Sequence, residues 1–185
     1  MAELIIGGAR SGKSALAALR AGQSGLAVIY LATARAEDAE MAQRVAHHRQ
    51  QRPVQWTSIE EPLQLAAALR RHAAADTCVL VDCLTLWLSN LFFAGRAAAQ
   101  VEAGQPVDCP LLAGQTAALL ECLAGLPGRV ILVSNEVGCG IVPANALARV
   151  FADEHGRLNQ KVAAACDRVT LTAAGLPLEL KGPTG

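Results

Sequence analysis

The sequence predicts an α/β fold of the P-loop NTPase kind, a mostly parallel sheet with helices on both faces and a C-terminal hairpin. Three observations carry this expectation. Short β-like runs alternate with longer alanine- and leucine-rich segments along the whole chain, the arrangement that builds βαβ units. Several strand candidates are continuous apolar runs rather than alternating ones, as strands covered on both faces require. The stretch "GGARSGKS", residues 7–14, follows the first strand and opens the first helix, satisfying G-x-x-x-x-G-K-[ST] in the context a phosphate loop needs.

In chain order, "ELII" (3–6) is the first strand and the alanine-rich run 13–22 the helix after the glycine loop. "LAVIYLA" (26–32) is the second strand, followed by a helix over 37–50 and a strand "VQWTSI" (54–59). A helix over 62–74 leads to "CVLVD" (78–82), and a further helix covers 84–94. Residues 94–110, "AGRAAAQVEAGQPVDCP", are small, polar and proline-punctuated, and read as a mobile surface excursion. A helix over 111–124 precedes "RVILVS" (129–134), and two helices, 143–154 and 157–166, precede "RVTLT" (168–172). "PLELK" (177–181) follows "AAG" closely enough to close a terminal hairpin. No fixed-period repeat and no long linker interrupts this order, so residues 1–185 are expected to form a single nucleotide-binding domain.

Composition bounds the function. A chain of 185 residues with 52% hydrophobic residues is long and apolar enough to bury a core. Sixteen basic residues against sixteen acidic ones leave no net charge, so no global attraction to nucleic acid or an anionic membrane is expected. No apolar run is long enough for a membrane span, and "MAELII" gives way at once to glycine and polar residues, unlike a signal peptide. The six cysteines have no C-x-x-C or zinc-ligand spacing and mostly lie in apolar runs, which favours reduced thiols in a cytoplasmic protein.

The residue types of the glycine loop follow from phosphate chemistry. Gly7 and Gly12 permit the turns that aim successive N–H groups of Gly8, Ala9, Arg10 and Ser11 at an anion, and the new helix adds its positive end. Lys13 would reach the β- and γ-phosphates, and the Ser14 hydroxyl would ligate Mg²⁺. A second metal-holding group is expected at the carboxyl end of another strand, where "CVLVD" places Asp82. Read by itself, Asp82 equally serves as a cap for the helix "CLTLWLSNL"; beside a phosphate loop, the metal role is favoured.

Many activities share this architecture, and the remaining motifs narrow the choice. In order, "GGARSGKS", "YLATARAEDAEMAQRVAHHRQQRP", "WTSIEEPLQL", "VLVDCLTLWLSNLF", "VILVSNEVGCGIVP" and "GRLNQKVAAACDRV" closely resemble the bifunctional adenosylcobinamide kinase/adenosylcobinamide-phosphate guanylyltransferase family of cobalamin biosynthesis, over roughly residues 3–181. The resemblance implies a RecA-like fold, a homotrimer, ATP and GTP as nucleotide substrates, and two reactions. Adenosylcobinamide is phosphorylated on its aminopropanol hydroxyl. GMP is then transferred from GTP to adenosylcobinamide phosphate through a GMP-histidine intermediate, giving adenosylcobinamide-GDP and pyrophosphate.

This gives "RVAHHRQQRP" (44–53) a purpose, since it gathers two of the chain's four histidines among arginines. Neutral imidazole is a competent nucleophile near neutral pH. Adjacent helical residues point about 100° apart; His48 shares the face of Met41 and Val45, whereas His47 shares that of Glu40 and Arg44. Periodicity therefore favours His47 as the outward member, and the family's nucleophile falls on the same first histidine. The resemblance also places Ala32, Thr33 and Ala34, then His48, Arg49, Gln50 and Gln51, and Glu60 and Asp82, at nucleotide-binding positions. Without it, Glu60 reads as an acid complementing a helix dipole, a role Glu61 could fill instead.

Asn135 and Glu136 in "SNEVGCGIVP" are candidates for the second substrate or the nucleotide base, at the sheet edge where α/β ligands bind. Arg149, Arg157 and Asn159 line either a corrinoid surface, a subunit contact or a solvated helix face. Two positions depart from the family. Ala152 stands between Phe151 and Asp153 where an arginine is common, and Cys139 occupies an often apolar position. Two other readings compete: a monofunctional P-loop kinase of a small alcohol with His47 inert, and an ATP- or GTP-binding switch module. Against the switch, no N-K-x-D guanine signature follows any strand.

Overall fold

In the computed structural model, the described residues are 1–34 and 53–182. Among them, seven strands form one sheet in the order β3-β2-β4-β5-β1-β6-β7. The strands are β1 (Ala2–Gly7), β2 (Ala27–Ala32), β3 (Thr57–Glu60), β4 (Thr77–Asp82), β5 (Arg129–Asn135), β6 (Arg168–Ala173) and β7 (Leu176–Lys181). All neighbours are parallel except β6 and β7, which form the expected antiparallel hairpin. The helices are α1 (Lys13–Gly22), α2 (Leu65–His72), α3 (Leu84–Ala94), α4 (Ala97–Glu102), α5 (Pro110–Leu123) and α6 (Ala146–Ala165). The helix expected over 37–50 lies outside the described residues.

Period-two alternation splits the strands between two cores. Leu4, Leu31, Val79, Val81, Leu132 and Val169 pack under α2, α3, α5 and α6. Ile5, Val28, Tyr30, Leu80, Ile131 and Val133 face α1 through Ala17 and Ala21. Buried strands of this kind read as unbroken apolar runs, which is why β4 and β5 were legible. A charged residue breaks the apolar pattern: Glu3, fully buried on β1. Its carboxylate pairs with Arg20 of α1 and with Arg129 of β5, the latter at 2.9 Å. Arg20 continues to Thr170 at 2.7 Å and to Glu179 of β7 at 2.6 Å, so the hairpin is tied to the helix that follows the glycine loop.

Two expectations are corrected. The pair of helices at 143–154 and 157–166 is one helix, α6, running through Gly156. An interior glycine costs only about 1 kcal/mol, and buried His155, Leu158, Asn159 and Val162 around it hold the helix to the sheet. Asn145 caps its start, accepting from the Ala148 N–H at 2.7 Å, and Lys181 binds the carbonyls of Ala163 and Ala164 at its end. The stretch 94–110 is not a loose polar excursion. It contains α4, whose Ala97, Ala98 and Val101 are buried. The Gln100 side chain bridges the Asp108 backbone, and the Cys109 thiol donates to Gly95 O at 3.0 Å. Alanine buries apolar surface with no side-chain entropy to lose, so a small-residue run packs where it looked merely flexible.

Candidate functional site

The parallel register brings the carboxyl ends of six strands to one edge. Glu60 pairs with Ala32, Ala32 with Asp82, and Gly7 with both Asn135 and Thr172. The glycine loop leaves this edge and is shaped by close contacts. A Cβ on Gly7 would lie 2.5 Å from Thr172 O, and one on Gly12, where φ is +94°, would lie 3.1 Å from Gly175 Cα. Arg10 also has positive φ. The Gly175 N–H, in the β6–β7 turn, donates to Ser11 O at 2.9 Å. The hairpin tip thus anchors the loop through the Ser11 carbonyl. Gly8, Ala9 and Arg10 are exposed, whereas Ser11 is buried with its hydroxyl unpartnered among the described residues.

Lys13 begins α1 and folds back to donate to Gly8 O at 3.1 Å. Burial pushes its ammonium below the usual lysine value, while Cys83 and Asp82 pull it the other way. Ser14 follows, half-buried in the first turn. Asp82 ends β4 on the same face of the sheet as α1, because it alternates with Cys78 and Leu80. The Tyr30 hydroxyl donates to Asp82 Oδ2 at 2.6 Å, holding that carboxylate in place. The donor set of a hydroxyl and a carboxylate suits a hard divalent cation. Among the described residues, no group of three His, Cys, Asp or Glu side chains could cage a metal, so a cation here would complete its shell with phosphate and water, as Mg²⁺ usually does.

Thr33 is fully buried and its hydroxyl bridges both backbone groups of Cys83, donating to O at 2.7 Å and accepting from N at 2.9 Å. Its side chain therefore locks the end of β2 to the end of β4. Asn90 of α3 completes the lock by donating to Thr33 O and Pro62 O at 2.8 and 3.1 Å. Ala32 is buried and Ala34 half-buried beside it. Glu60 is exposed at the end of β3, and Glu61 takes the capping role, accepting from the N–H groups of Leu63 and Gln64 at the start of α2. His47, His48, Arg49, Gln50 and Gln51 lie outside the described residues.

A polar network beneath the edge was not anticipated. His155 is fully buried; its Nε2 lies 2.9 Å from Thr85 Oγ1 and 3.4 Å from Ser134 Oγ. Ser134 donates to Asn159 Oδ1 at 2.7 Å, and Asn159 donates to Asn135 O at 2.9 Å. Thr85 accepts from the Asn135 N–H at 2.9 Å. Burial lowers the His155 pKa, opposed by Glu136. The network fixes the end of β5, and the Glu136 N–H donates to Gly7 O at 3.0 Å. The sequence signal was present: Phe151, His155 and Asn159 recur at one-turn spacing on one helix face. Asn159 is thus a core residue, while Arg149 binds the carbonyls of Pro143 and Ala144 and Arg157 pairs with Glu154.

The cysteines add no chemistry to this edge. Burial, with Asp82 adding to it, pushes the Cys83 thiol up to about 11, and five of the six are buried. No helix among the described residues is long and apolar enough to cross a membrane.

Comparison with known proteins agrees with this geometry. The chain is 55% identical over 182 residues to the bifunctional adenosylcobalamin biosynthesis protein CobP of Pseudomonas aeruginosa, covering 98% of each chain. It is 38% identical over 179 residues to the bifunctional adenosylcobalamin biosynthesis protein CobU of Salmonella typhimurium, covering 96% of this chain and 98% of the relative. Among solved structures it is similar to the ATPase EscN of the enteropathogenic E. coli type III secretion system, with a TM-score of 0.54 at 14% identity. A second solved structure, of a prototypical ATPase from the type III secretion system of pathogenic bacteria, gives the same score and identity. The match covers 94% and 96% of this chain but only 43% and 56% of those longer proteins, and it shows a shared P-loop NTPase fold alone. The profile of cobinamide kinase / cobinamide phosphate guanyltransferase matches residues 3–180, and the chain belongs to that family.

Proposed function

We propose that this protein carries out both reactions of its family on one nucleotide edge. It phosphorylates adenosylcobinamide with ATP or GTP, then transfers GMP from GTP to the phosphate. The observation that supports this most is the phosphate loop itself, shaped by Gly7 and Gly12 against β6 and the hairpin, with Lys13 and Asp82 at one edge.

In the first reaction, the aminopropanol oxygen attacks the γ-phosphorus and the bond to the β-bridging oxygen breaks, releasing a nucleoside diphosphate. Lys13 exchanges Gly8 O for phosphate oxygens and stabilises charge on the transferring group. Ser14 and Asp82 would hold Mg²⁺, which offsets the charge of the β- and γ-phosphates. Tyr30 keeps Asp82 oriented for this. In the second reaction, an imidazole nitrogen of His47 attacks the α-phosphorus of GTP and pyrophosphate leaves. The phosphate of adenosylcobinamide phosphate then attacks the same phosphorus, the N–P bond breaks, and adenosylcobinamide-GDP forms with the imidazole restored. Ala32, Thr33, Ala34, His48, Arg49, Gln50, Gln51 and Glu60 would contact the nucleotide. The enzyme would act in the cytoplasm as a homotrimer.

The test is incubation of the purified protein with adenosylcobinamide, ATP, GTP and Mg²⁺, with corrinoid products resolved by mass. The expected products are the phosphate and then the GDP adduct, and Lys13→Ala should slow both steps at least about a hundredfold. A phosphate that accumulates without any GDP adduct would indicate the monofunctional kinase.

A further inference from the structure

A cleft of about 450 Å³ opens between α3, the loop after β5 and the first turns of α6, lined by Ser89, Phe93, Val137, Pro143, Ala148 and Phe151 among others. Two of its lining residues adjoin, in sequence, residues bonded to the nucleotide edge. Ser89 neighbours Asn90, which binds Thr33 O at the end of β2. Val137 follows Glu136, whose N–H binds Gly7 O at the start of the phosphate loop. The cleft therefore lies on the α3 and α6 side of the sheet, near the edge that carries Gly7 and Asp82.

Its surface is unusually apolar for a position open to solvent. Phe93 is 66% exposed and Val137 37%, and Ile141 and Val142 stand exposed on the same loop. Contiguous exposed apolar surface with a few polar groups marks a binding site. A second large cavity, between α3, α5 and α6, carries the charged side chains of Asp108, Glu154, Arg157 and Lys161 instead. Of the family's substrates, the nucleotides are held through their phosphates by the loop. Cobinamide brings a broad corrin ring fringed with methyl groups and carboxamides, and it needs apolar surface next to, not within, the phosphate site. The cleft is too small for a whole corrinoid and fits one edge of the ring.

We propose that this cleft binds the methyl-rich edge of the corrin ring, with Phe93 as its main apolar contact, and so directs the aminopropanol arm to the phosphate loop. The proposal rests on the kinase reading above. It names a surface distinct from the nucleotide contacts, so removing it should affect the corrinoid and not the nucleotide.

Phe93→Ser removes exposed apolar surface without opening the core, and Ala148→Trp fills the cleft from the opposite wall. Each full-length variant is assayed for the KM of adenosylcobinamide and of ATP. Equilibrium dialysis of adenosylcobinamide against nucleotide-free protein and sedimentation velocity accompany the kinetics. For Phe93→Ser the corrinoid KM should rise about tenfold or more, as loss of an aromatic contact implies, with nucleotide-free binding weakened in parallel and the ATP KM within about twofold. An unchanged corrinoid KM and dialysis constant in Phe93→Ser, with the unmodified protein active, overturns the proposal and leaves the kinase reading standing. Altered sedimentation with unchanged corrinoid KM overturns it too, and makes the cleft a contact between copies of this chain. An unmodified protein that neither binds nor phosphorylates adenosylcobinamide removes the kinase reading, and the proposal falls with it.

Discussion

Replacing Gly7 by alanine adds one methyl group at the point where the phosphate loop leaves the sheet. The new Cβ would sit 2.5 Å from Thr172 O and 2.5 Å from Ser11 Oγ. The serine hydroxyl can rotate away, but the carbonyl belongs to β6, whose Thr172 is in register with Gly7. Reaching an ordinary contact of 3.4 Å requires the two strands to part by roughly 0.9 Å at their ends. Overpacking of this kind costs about 1–3 kcal/mol, or roughly 2–12 °C in melting temperature for a chain of this size. The displacement also moves Ser11 and the Glu136 N–H that binds Gly7 O, and a shift near 1 Å at a reacting centre costs about a hundredfold in rate. Gly8→Ala is the matched control, because nothing lies within 4 Å of a Cβ there. Its melting temperature should stay within about 2 °C of the parent. Calorimetry and kinase turnover on both variants measure the contrast. A Gly7→Ala protein with parental melting temperature and parental turnover would refute the packing of this loop against β6.

Other perturbations test the surrounding architecture. Asp82→Asn removes the charge but keeps the shape, so it should keep its fold by circular dichroism and need more Mg²⁺ for kinase turnover; unchanged Mg²⁺ dependence makes Asp82 structural. Val101→Asp places an unpaired carboxylate in the α4 contact, where Val101 is 8% exposed, and should cost about 3 kcal/mol or more in urea unfolding; a neutral result would restore the loose-excursion reading of 94–110. His155 is held neutral by burial, its pKa below the usual 6.5. The unfolded chain therefore takes up the proton first as pH falls, so stability is full above about 6.5, declines as pH falls below it, and levels off under the folded pKa. His155→Gln should flatten that part of the stability-against-pH curve, and a mutant curve parallel to the parent's would exclude His155 as its source.

The parts of the site written in short, local patterns were legible in the sequence. The glycine loop, the strand ending at Asp82 and the terminal hairpin each span fewer than about fifteen residues, and their residue types follow from backbone conformation and burial. Even the face Asp82 takes follows from alternation with Cys78 and Leu80. The partners were not legible, because they come from distant segments. Tyr30 reaches Asp82 across 52 residues, and Arg129 reaches Glu3 across 126. A glutamate in the middle of an apolar strand was itself a sign that a cation must be near, but not of which one. Thr33 matched a nucleotide-contacting turn, yet its hydroxyl serves the Cys83 backbone. Gly156 and the stretch 94–110 misled for a different reason: a helix-interior glycine and a small, proline-punctuated composition suggested a break and looseness, and tertiary burial overrode both.

The claim that one chain performs two chemically different transfers is tested most directly by His47→Ala. Phosphorylation of the alcohol uses the loop, Lys13 and a bound hydroxyl, and needs no imidazole; guanylyl transfer by double displacement does. The mutant should convert adenosylcobinamide to its phosphate and stop there, taking no covalent label from GTP labelled at the α-phosphate. In the parent protein that label should survive alkali and be lost in mild acid, because protonation turns imidazole into a good leaving group. His48→Ala should still take the label. A His47→Ala protein that is labelled normally and completes the GDP adduct would contradict the account.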